Sequence, residues 1–298
     1  MILNRGSGRQ RGEDRATLIK RAFAALQINV QIFSFRKGRS LKSAVEDALK
    51  SGATTIVAAG GDGTICGVAQ HIADRNVVLG ILPLGTFNYF ARSLDLPEDI
   101  DGAAAVIAQG NAAGVRLARI NDRVFLNNAS IGAYAAILET REGVYKRWGR
   151  SRFAAYWSVL KTLATFRAPL AIDVDVDGET HRFRTSIAFA INNAFQLDQM
   201  GIEGRDCIEQ GKLVLLIAPD TTRLGLMKHA VSLALRTARP QMDYKMYCGR
   251  EITIRTRKNE RLVARDGEKE RQKGPFRLSL DSTPQQVLMP ATAASTVR

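Results

Sequence analysis

The sequence predicts an α/β nucleotide-binding domain on a parallel sheet, followed by a mainly antiparallel β-sandwich domain. Three observations carry this. Over roughly the first hundred residues, short β-branched runs alternate with amphipathic stretches of helix length, the signature of βαβ units. After about Gly110 the chain changes to short strand-like runs parted by turn dipeptides. Two glycine-rich segments stand where apolar runs of the first half end, the edge at which open parallel sheets bind ligands.

Taken in order, Ile2-Leu3 reads as a clipped strand. Asp14 to Leu26 has helical spacing, with Leu18, Ile19, Ala22, Phe23 and Leu26 on one face. Asn29 to Phe35 alternates as a strand. Ser40 is a plausible N-cap for a helix to Lys50, burying Leu41, Ala44, Val45, Ala48 and Leu49. Thr54–Ala59 and Asn76–Leu82 read as buried parallel strands, with a helix from Thr64 to Ala73 between them.

In the second half, strands are expected at Arg116–Ile120, Val124–Ala129, Ala171–Val176, Arg182–Ala190, Lys212–Ala218, Glu251–Thr256, Leu262–Ala264 and Phe276–Leu280. Asn121-Asp122, Asp177-Gly178 and Asp266-Gly267 are turn signals, and Ser151–Phe166 and Thr222–Ala238 read as helices. The domains are expected at 1–112 and 113–283, with a last strand in about 284–298 returning to the first.

Charge and cysteine content narrow the function. Of 298 residues, 43 are Lys or Arg and 29 are Asp or Glu, a net charge of +14 that favours an anionic partner. Nucleic acid is not expected, because the basic residues are not interleaved with aromatics and no helix-turn-helix or RNA-binding motif is visible. Cys66, Cys207 and Cys248 are odd in number and lack metal-ligand spacing, so neither a disulfide nor a zinc site is expected and a reducing compartment fits. His71, His181 and His229 are scattered and read as non-catalytic. The opening does not read as a leader, and no run approaches the ~18 apolar residues of a membrane span, so membrane contact is expected to be peripheral.

The chemistry concentrates in Gly60-Gly61-Asp62-Gly63-Thr64. Glycines allow close backbone approach, and the following helix start offers N–H groups and partial positive charge to phosphates. Asp62 can bridge or hold water around the magnesium that accompanies a triphosphate. Neither the P-loop pattern nor GxGxxG is present. Pro83-Leu84-Gly85-Thr86-Phe87-Asn88 ends the next strand in the same way. Asp266-Gly267-Glu268 is a turn that can project a carboxylate, and phosphoryl transfer to a hydroxyl needs a proton acceptor.

Set in order, these segments resemble the diacylglycerol kinase catalytic-domain family. Leu3-Asn4-Arg5-Gly6-Ser7-Gly8 resembles the family's Asn-Pro-x-Ser-Gly opening, with Arg5 in place of proline. Gly60–Thr64, Pro83–Arg92, Phe125–Gly132 and Asp266–Glu268 match later motifs. The resemblance implies ATP and Mg2+ in a cleft between the domains, bordered by Asn4, Ser7, Gly8 and Ser34. Gly60, Gly61, Asp62, Gly63, Thr64, Ile65, Cys66, Gly85, Thr86 and Asn88 would hold the nucleotide. Glu268 would take the proton from a lipid hydroxyl, with Asp62 beside the magnesium.

Three positions depart from the pattern: Tyr89, Arg116 and Gln210 stand where the family often has acids, which bears on metal binding. The implied protein works on a lipid at the inner face of the membrane, from the cytoplasm, and a homodimer is allowed. The alternatives are a catalytically degenerate nucleotide- or lipid-binding relative and an NAD-kinase-like enzyme. A basic, Trp-containing helix at Arg152–Phe166 is expected to dock on an anionic bilayer.

Overall fold

The computed structural model describes residues 1–4, 14–35, 40–133, 169–235, 237–240 and 242–291. The chain divides into two compact units, Met1–Leu117 with Asp281–Arg298, and Ala118–Leu280.

In the first unit, β1 (Ile2–Asn4), α1 (Arg15–Ala25), β2 (Phe33–Phe35), α2 (Leu41–Lys50), β3 (Thr55–Gly60), α3 (Asp62–Ile72) and β4 (Val78–Pro83) follow one another. Then come α4 (Tyr89–Ser93), α5 (Ile100–Gln109) and β5 (Ala112–Val115). Ser40 caps α2, its hydroxyl accepting from Ser43 N–H at 3.1 Å, and Asp99 caps α5 by accepting from Gly102 N–H at 2.7 Å. Helix α1 packs with α5, and α2 with α3. Ile19, Phe23, Ala103 and Ala104 share one core with Val57 and Leu82 of the sheet.

Strands β1, β2, β3 and β4 are parallel. The last strand, β18 (Gln285–Leu288), lies parallel to β4, and β5 runs antiparallel to β18 at the edge. The first sheet, ordered β2-β1-β3-β4-β18-β5, is therefore mixed and mostly parallel rather than wholly parallel. The expected strand over 29–35 contracts to Phe33–Phe35, because Ile28, Val30 and Ile32 pack against the helical core before pairing begins.

The second unit holds two six-stranded sheets. Its first strands are β6 (Ala118–Ile120), β7 (Arg123–Phe125), β8 (Asn128–Gly132), β9 (Leu170–Val176), β10 (Glu179–Thr185) and β11 (Ile187–Ile191). Helices α6 (Ala194–Met200) and α7 (Arg205–Glu209) lead to β12 (Leu213–Ile217), and α8 (Arg223–Ala234) to β13 (Lys245–Gly249). The unit ends with β14 (Glu251–Thr256), β15 (Glu260–Arg265), β16 (Glu268–Lys273) and β17 (Phe276–Leu280). One sheet runs β10-β9-β14-β17-β6-β7 and the other β13-β12-β11-β8-β15-β16, with every pairing antiparallel. Alternate residues such as Ile172, Val174, Val176, Leu213, Leu215, Ile252, Ile254 and Phe276 form one core between the sheets, the sandwich the alternation predicts.

The turn signals sit where hairpins need them. Asp177-Gly178 joins β9 to β10 and Asp266-Gly267 joins β15 to β16, both dipeptides with positive φ; Asn121, with φ 54°, joins β6 to β7. Two expected strands are each divided in two. Arg182–Ala190 breaks at Thr185–Ser186, where the chain passes from one sheet to the other. Val124–Ala129 breaks at Leu126–Asn127, whose N–H groups donate to the Asp266 carboxylate instead of to a neighbouring strand.

The cysteine expectation is overturned. Cys207 and Cys248, separated by 41 residues, form a disulfide with Cα atoms 6.0 Å apart. Helix α7 leads straight into β12, which pairs with β13, so sheet pairing closes a distance that sequence spacing could not reveal. The argument from cysteines to a reducing compartment falls with it. Among the described residues no helix is long and apolar enough to cross a membrane. The Arg152–Phe166 docking helix lies outside the described residues.

Candidate active site

The strand order of the first sheet sets the place of the site. The chain leaves β1 to form β2 on one side and returns to form β3 on the other, so β1 and β3 are neighbours at a topological switch point. Ligands of open α/β sheets bind beyond the carboxyl ends of such strands. Asn4 ends β1 and Gly60 ends β3. Leu3 pairs with both Ser34 and Ala59, which brings Ser34 into the same row.

Helix α3 starts at Asp62, two residues earlier than the sequence suggests, so Asp62, Gly63 and Thr64 form its first turn. Gly61 is the N-cap, and its carbonyl accepts from Thr64 N–H at 2.8 Å and Ile65 N–H at 3.1 Å. The first N–H groups of a helix have no intrahelical acceptor and carry partial positive charge, which suits an oxyanion. Asn4 Nδ2 donates to Thr64 Oγ1 at 3.0 Å, tying the end of β1 to this turn. Ile65 and Cys66 are buried and offer no side chain to a ligand, and the Ile65 N–H is already bonded to Gly61 O.

The second glycine turn abuts the first. A Cβ added to Gly61 would lie 3.2 Å from Gly85 Cα, and one added to Gly85 would lie 2.7 Å from Gly61 Cα. Leu84 N–H donates to Gly60 O at 2.8 Å. Asn88, left-handed at φ 50° and 3% exposed, holds the turn: its Oδ1 accepts from Gly85 N–H at 2.9 Å. Asn88 is thus committed to the shape of the loop, while Thr86 at its tip is exposed. Asp62 Oδ1 accepts from Phe90 N–H at 3.1 Å, so this carboxylate also braces the start of α4. Tyr89 stacks on Phe87, with ring centroids 5.6 Å apart. Ser7 and Gly8 lie outside the described residues.

In the second unit, Asp266-Gly267-Glu268 proves more elaborate than a surface turn. Asp266 is 8% exposed, and its carboxylate accepts from the N–H groups of Leu126 at 2.6 Å, Asn127 at 2.8 Å and Asn128 at 3.1 Å. The Phe125–Gly132 motif and the Asp-Gly-Glu motif are therefore one local structure. Arg265 adds to it, donating to Val124 O at 2.9 Å and to Glu270 at 3.0 Å. Around the loop, Asn193 Nδ2 donates to Asn127 Oδ1 at 2.6 Å and Asn128 Nδ2 to Gln196 Oε1 at 3.1 Å. Sequence reasoning missed Asp266, Asn193 and Gln196 as a set. The adjacent Asn127-Asn128 inside an apolar strand was the available signal, since buried amides demand partners. Glu268 opens β16 and is exposed.

Among the described residues no three His, Cys, Asp or Glu side chains come together as a metal site. Gln210 ends α7 as its C-cap, and Arg116 follows β5.

Residues 1–120 match the family model described as the diacylglycerol kinase catalytic domain. This segment is of the diacylglycerol kinase catalytic-domain family. A Cronobacter sakazakii relative described as a probable lipid kinase YegS-like is 39% identical over 100 residues, 32% of this chain and 33% of the relative. A Staphylococcus aureus diacylglycerol kinase is 28% identical over 208 residues, covering 67% of this chain and 64% of the relative. The chain thus aligns with between 33% and 64% of the length of these two curated relatives. A solved Bacillus anthracis diacylglycerol kinase matches 98% of this chain and 96% of its own, with a TM-score of 0.68 at 19% identity, a likeness of fold. For residues 1–120 the family read from the motifs is borne out, and this segment contains both glycine turns.

Proposed function

We propose that the protein is an ATP-dependent lipid kinase, transferring the γ-phosphate of ATP to a hydroxyl of diacylglycerol or a related lipid. The observation that carries this reading is the contact between the Gly61 and Gly85 turns at the switch point, in a segment of the diacylglycerol kinase catalytic-domain family. Two backbone turns in contact leave no room for side chains, and the start of α3 faces the same edge. That combination suits a polyphosphate.

In this reading Asn4, Ser7, Gly8 and Ser34 border the nucleotide and the Gly60–Cys66 backbone holds its phosphates. Gly85, Thr86 and Asn88 close the second side. A magnesium ion would arrive on the phosphates, for which a single carboxylate, Asp62, is a sufficient protein ligand. The ion would neutralise charge on the transferred group. Glu268 takes the proton of the attacking lipid hydroxyl. The turn before Glu268 is anchored through Asp266, and the exposed Glu268 carboxylate is able to accept that proton. The protein acts at the inner face of the membrane as a peripheral enzyme.

The test is transfer of labelled γ-phosphate to a lipid panel. Wild-type protein is expected to label one lipid class. Glu268→Gln is expected to lower kcat about 10²- to 10⁴-fold, the range for loss of a general base, with ATP affinity unchanged. ATP binding without transfer to any lipid would replace this reading with a degenerate nucleotide-binding relative. Phosphorylation of NAD instead of lipid would point to the NAD-kinase-like alternative.

A further inference from the structure

The outer face of one sandwich sheet carries an arrangement that phosphoryl transfer does not use. Strands β10, β9 and β14 lie side by side, and Arg182, Asp173 and Arg255 stand opposite one another in a single row. The middle carboxylate serves that row: Arg182 Nε lies 3.2 Å from Asp173 Oδ1. Two residues along, Arg184 stands opposite Ala171. Arg257, two residues beyond Arg255, lines the same cavity. Arg257 follows the end of β14 and is not in strand register with Ala171, so this second set has arginines lining the cavity on both sides without a central acid.

A cavity of about 430 Å³ sits over these residues. Arg184 meets Asp220 through its Nε at 3.2 Å, a contact between groups 69% and 47% exposed. A guanidinium has five N–H donors, so the pair leaves donors for another oxyanion. Arg255 and Arg257 have no carboxylate within ion-pair distance among the described residues. Four arginines therefore face one cavity whose own acid, Asp173, belongs to the neighbouring row.

We propose that this cavity is an oxyanion site for a phosphate group, seated over Ala171 between Arg184 and Arg257 as Asp173 is seated between Arg182 and Arg255. Planar guanidinium groups pair bidentately with phosphate oxygens, and an anion above Ala171 completes the second set. The phosphate group can come from an anionic lipid headgroup or from a soluble phosphomonoester. The site lies wholly within the second unit and needs no nucleotide, so it stands or falls apart from the kinase reading.

The experiment uses the full chain without nucleotide, in two arms. One measures co-sedimentation with phosphatidylglycerol vesicles, with phosphatidylcholine vesicles as reference. The other follows titration with glycerol 3-phosphate by isothermal calorimetry. The variants are Arg184→Ala/Arg257→Ala and Ala171→Asp. The second places an acid at an exposed position and supplies internally what the anion would supply. Gln31→Asp adds the same charge in the other unit as a control, and thermal melts confirm folding. Near an anionic surface each arginine is worth about a fivefold change in affinity, so the double variant is expected to bind vesicles about 25-fold more weakly. Ala171→Asp should weaken binding similarly and Gln31→Asp should not. Loss confined to the vesicle arm identifies a lipid headgroup, and loss in the soluble arm identifies a free phosphomonoester. Folded double and Ala171→Asp variants that match wild type in both arms would overturn the proposal.

Discussion

Gly85 shows how much one missing Cβ can decide. A methyl group there would lie 2.6 Å from Asn88 Oδ1 and 2.7 Å from Gly61 Cα. The second contact is with backbone and cannot be relieved by a rotamer change. Gly85→Ala is expected to part the two turns, lowering stability by about 1–3 kcal/mol, the usual cost of overpacking, and weakening ATP binding more than tenfold. Denaturant melts and nucleotide titration measure the two effects, and unchanged ATP affinity would show that the contact is not part of the phosphate site. The glycines were legible in the sequence, as was their place after buried strands. Neighbouring parallel strands also imply that the two turns lie side by side; the close approach of Gly61 to Gly85 was not legible, because it depends on the register in which β3 pairs with β4. Asp266 is the converse case. It reads as a turn residue, yet three backbone N–H groups about 140 positions earlier meet its carboxylate.

At the scale of elements, α8 and the turn after it illustrate local and distant control together. The sequence predicts the helix, and the structure ends it at Ala234. Asp243 then reaches back, accepting from Arg239 N–H at 2.8 Å and pairing with His229 on the helix. The Arg239 hydrogen bond, followed by the His229 contact, lowers the Asp243 pKa below the ordinary carboxylate value. A depressed folded-state pKa gives stability that is present above the unfolded-state pKa and lost as pH falls through the folded one. Wild-type protein should therefore lose more thermal stability than Asp243→Asn between pH 5 and pH 2.5. Parallel Tm profiles for the two proteins would refute the coupling. Hairpins were the easiest elements to read, since Asp177-Gly178 and Asp266-Gly267 fall between strand-like runs and tolerate the positive φ that a tight turn needs. Strand ends were harder, as at Thr185–Ser186, where only the partner sheets mark the break.

For the whole molecule, the return of the chain after Leu280 matters most. Strand β18 inserts between β4 and β5 and buries Val287, Leu288 and Met289. Gln285 Nε2 donates to Val77 O at 2.6 Å, fastening the strand to the beginning of β4. Deleting residues 281–298 would expose the flank of β4 and leave β5 without its partner. An exposed buried-type edge favours association. The truncated chain is expected to aggregate or to melt well below the full chain, with circular dichroism and light scattering as the measurements. A truncated protein with unchanged Tm would show that β18 is dispensable.

The local pattern of side chains determined the class of each half of this protein: period-two and helical spacing, the Ser40 cap, the Asp-Gly turns and the placing of the glycine segments. These are short-range properties, set by steric limits on each residue and by which face must be buried. Tertiary structure alone decided which distant segments share a site. It fixed how closely Gly61 approaches Gly85, locked the 126–128 loop to Asp266, joined Cys207 to Cys248 and set the returning β18 between β4 and β5. Each depends on strand order and register, which arise from packing the whole chain and leave no fixed spacing in the sequence.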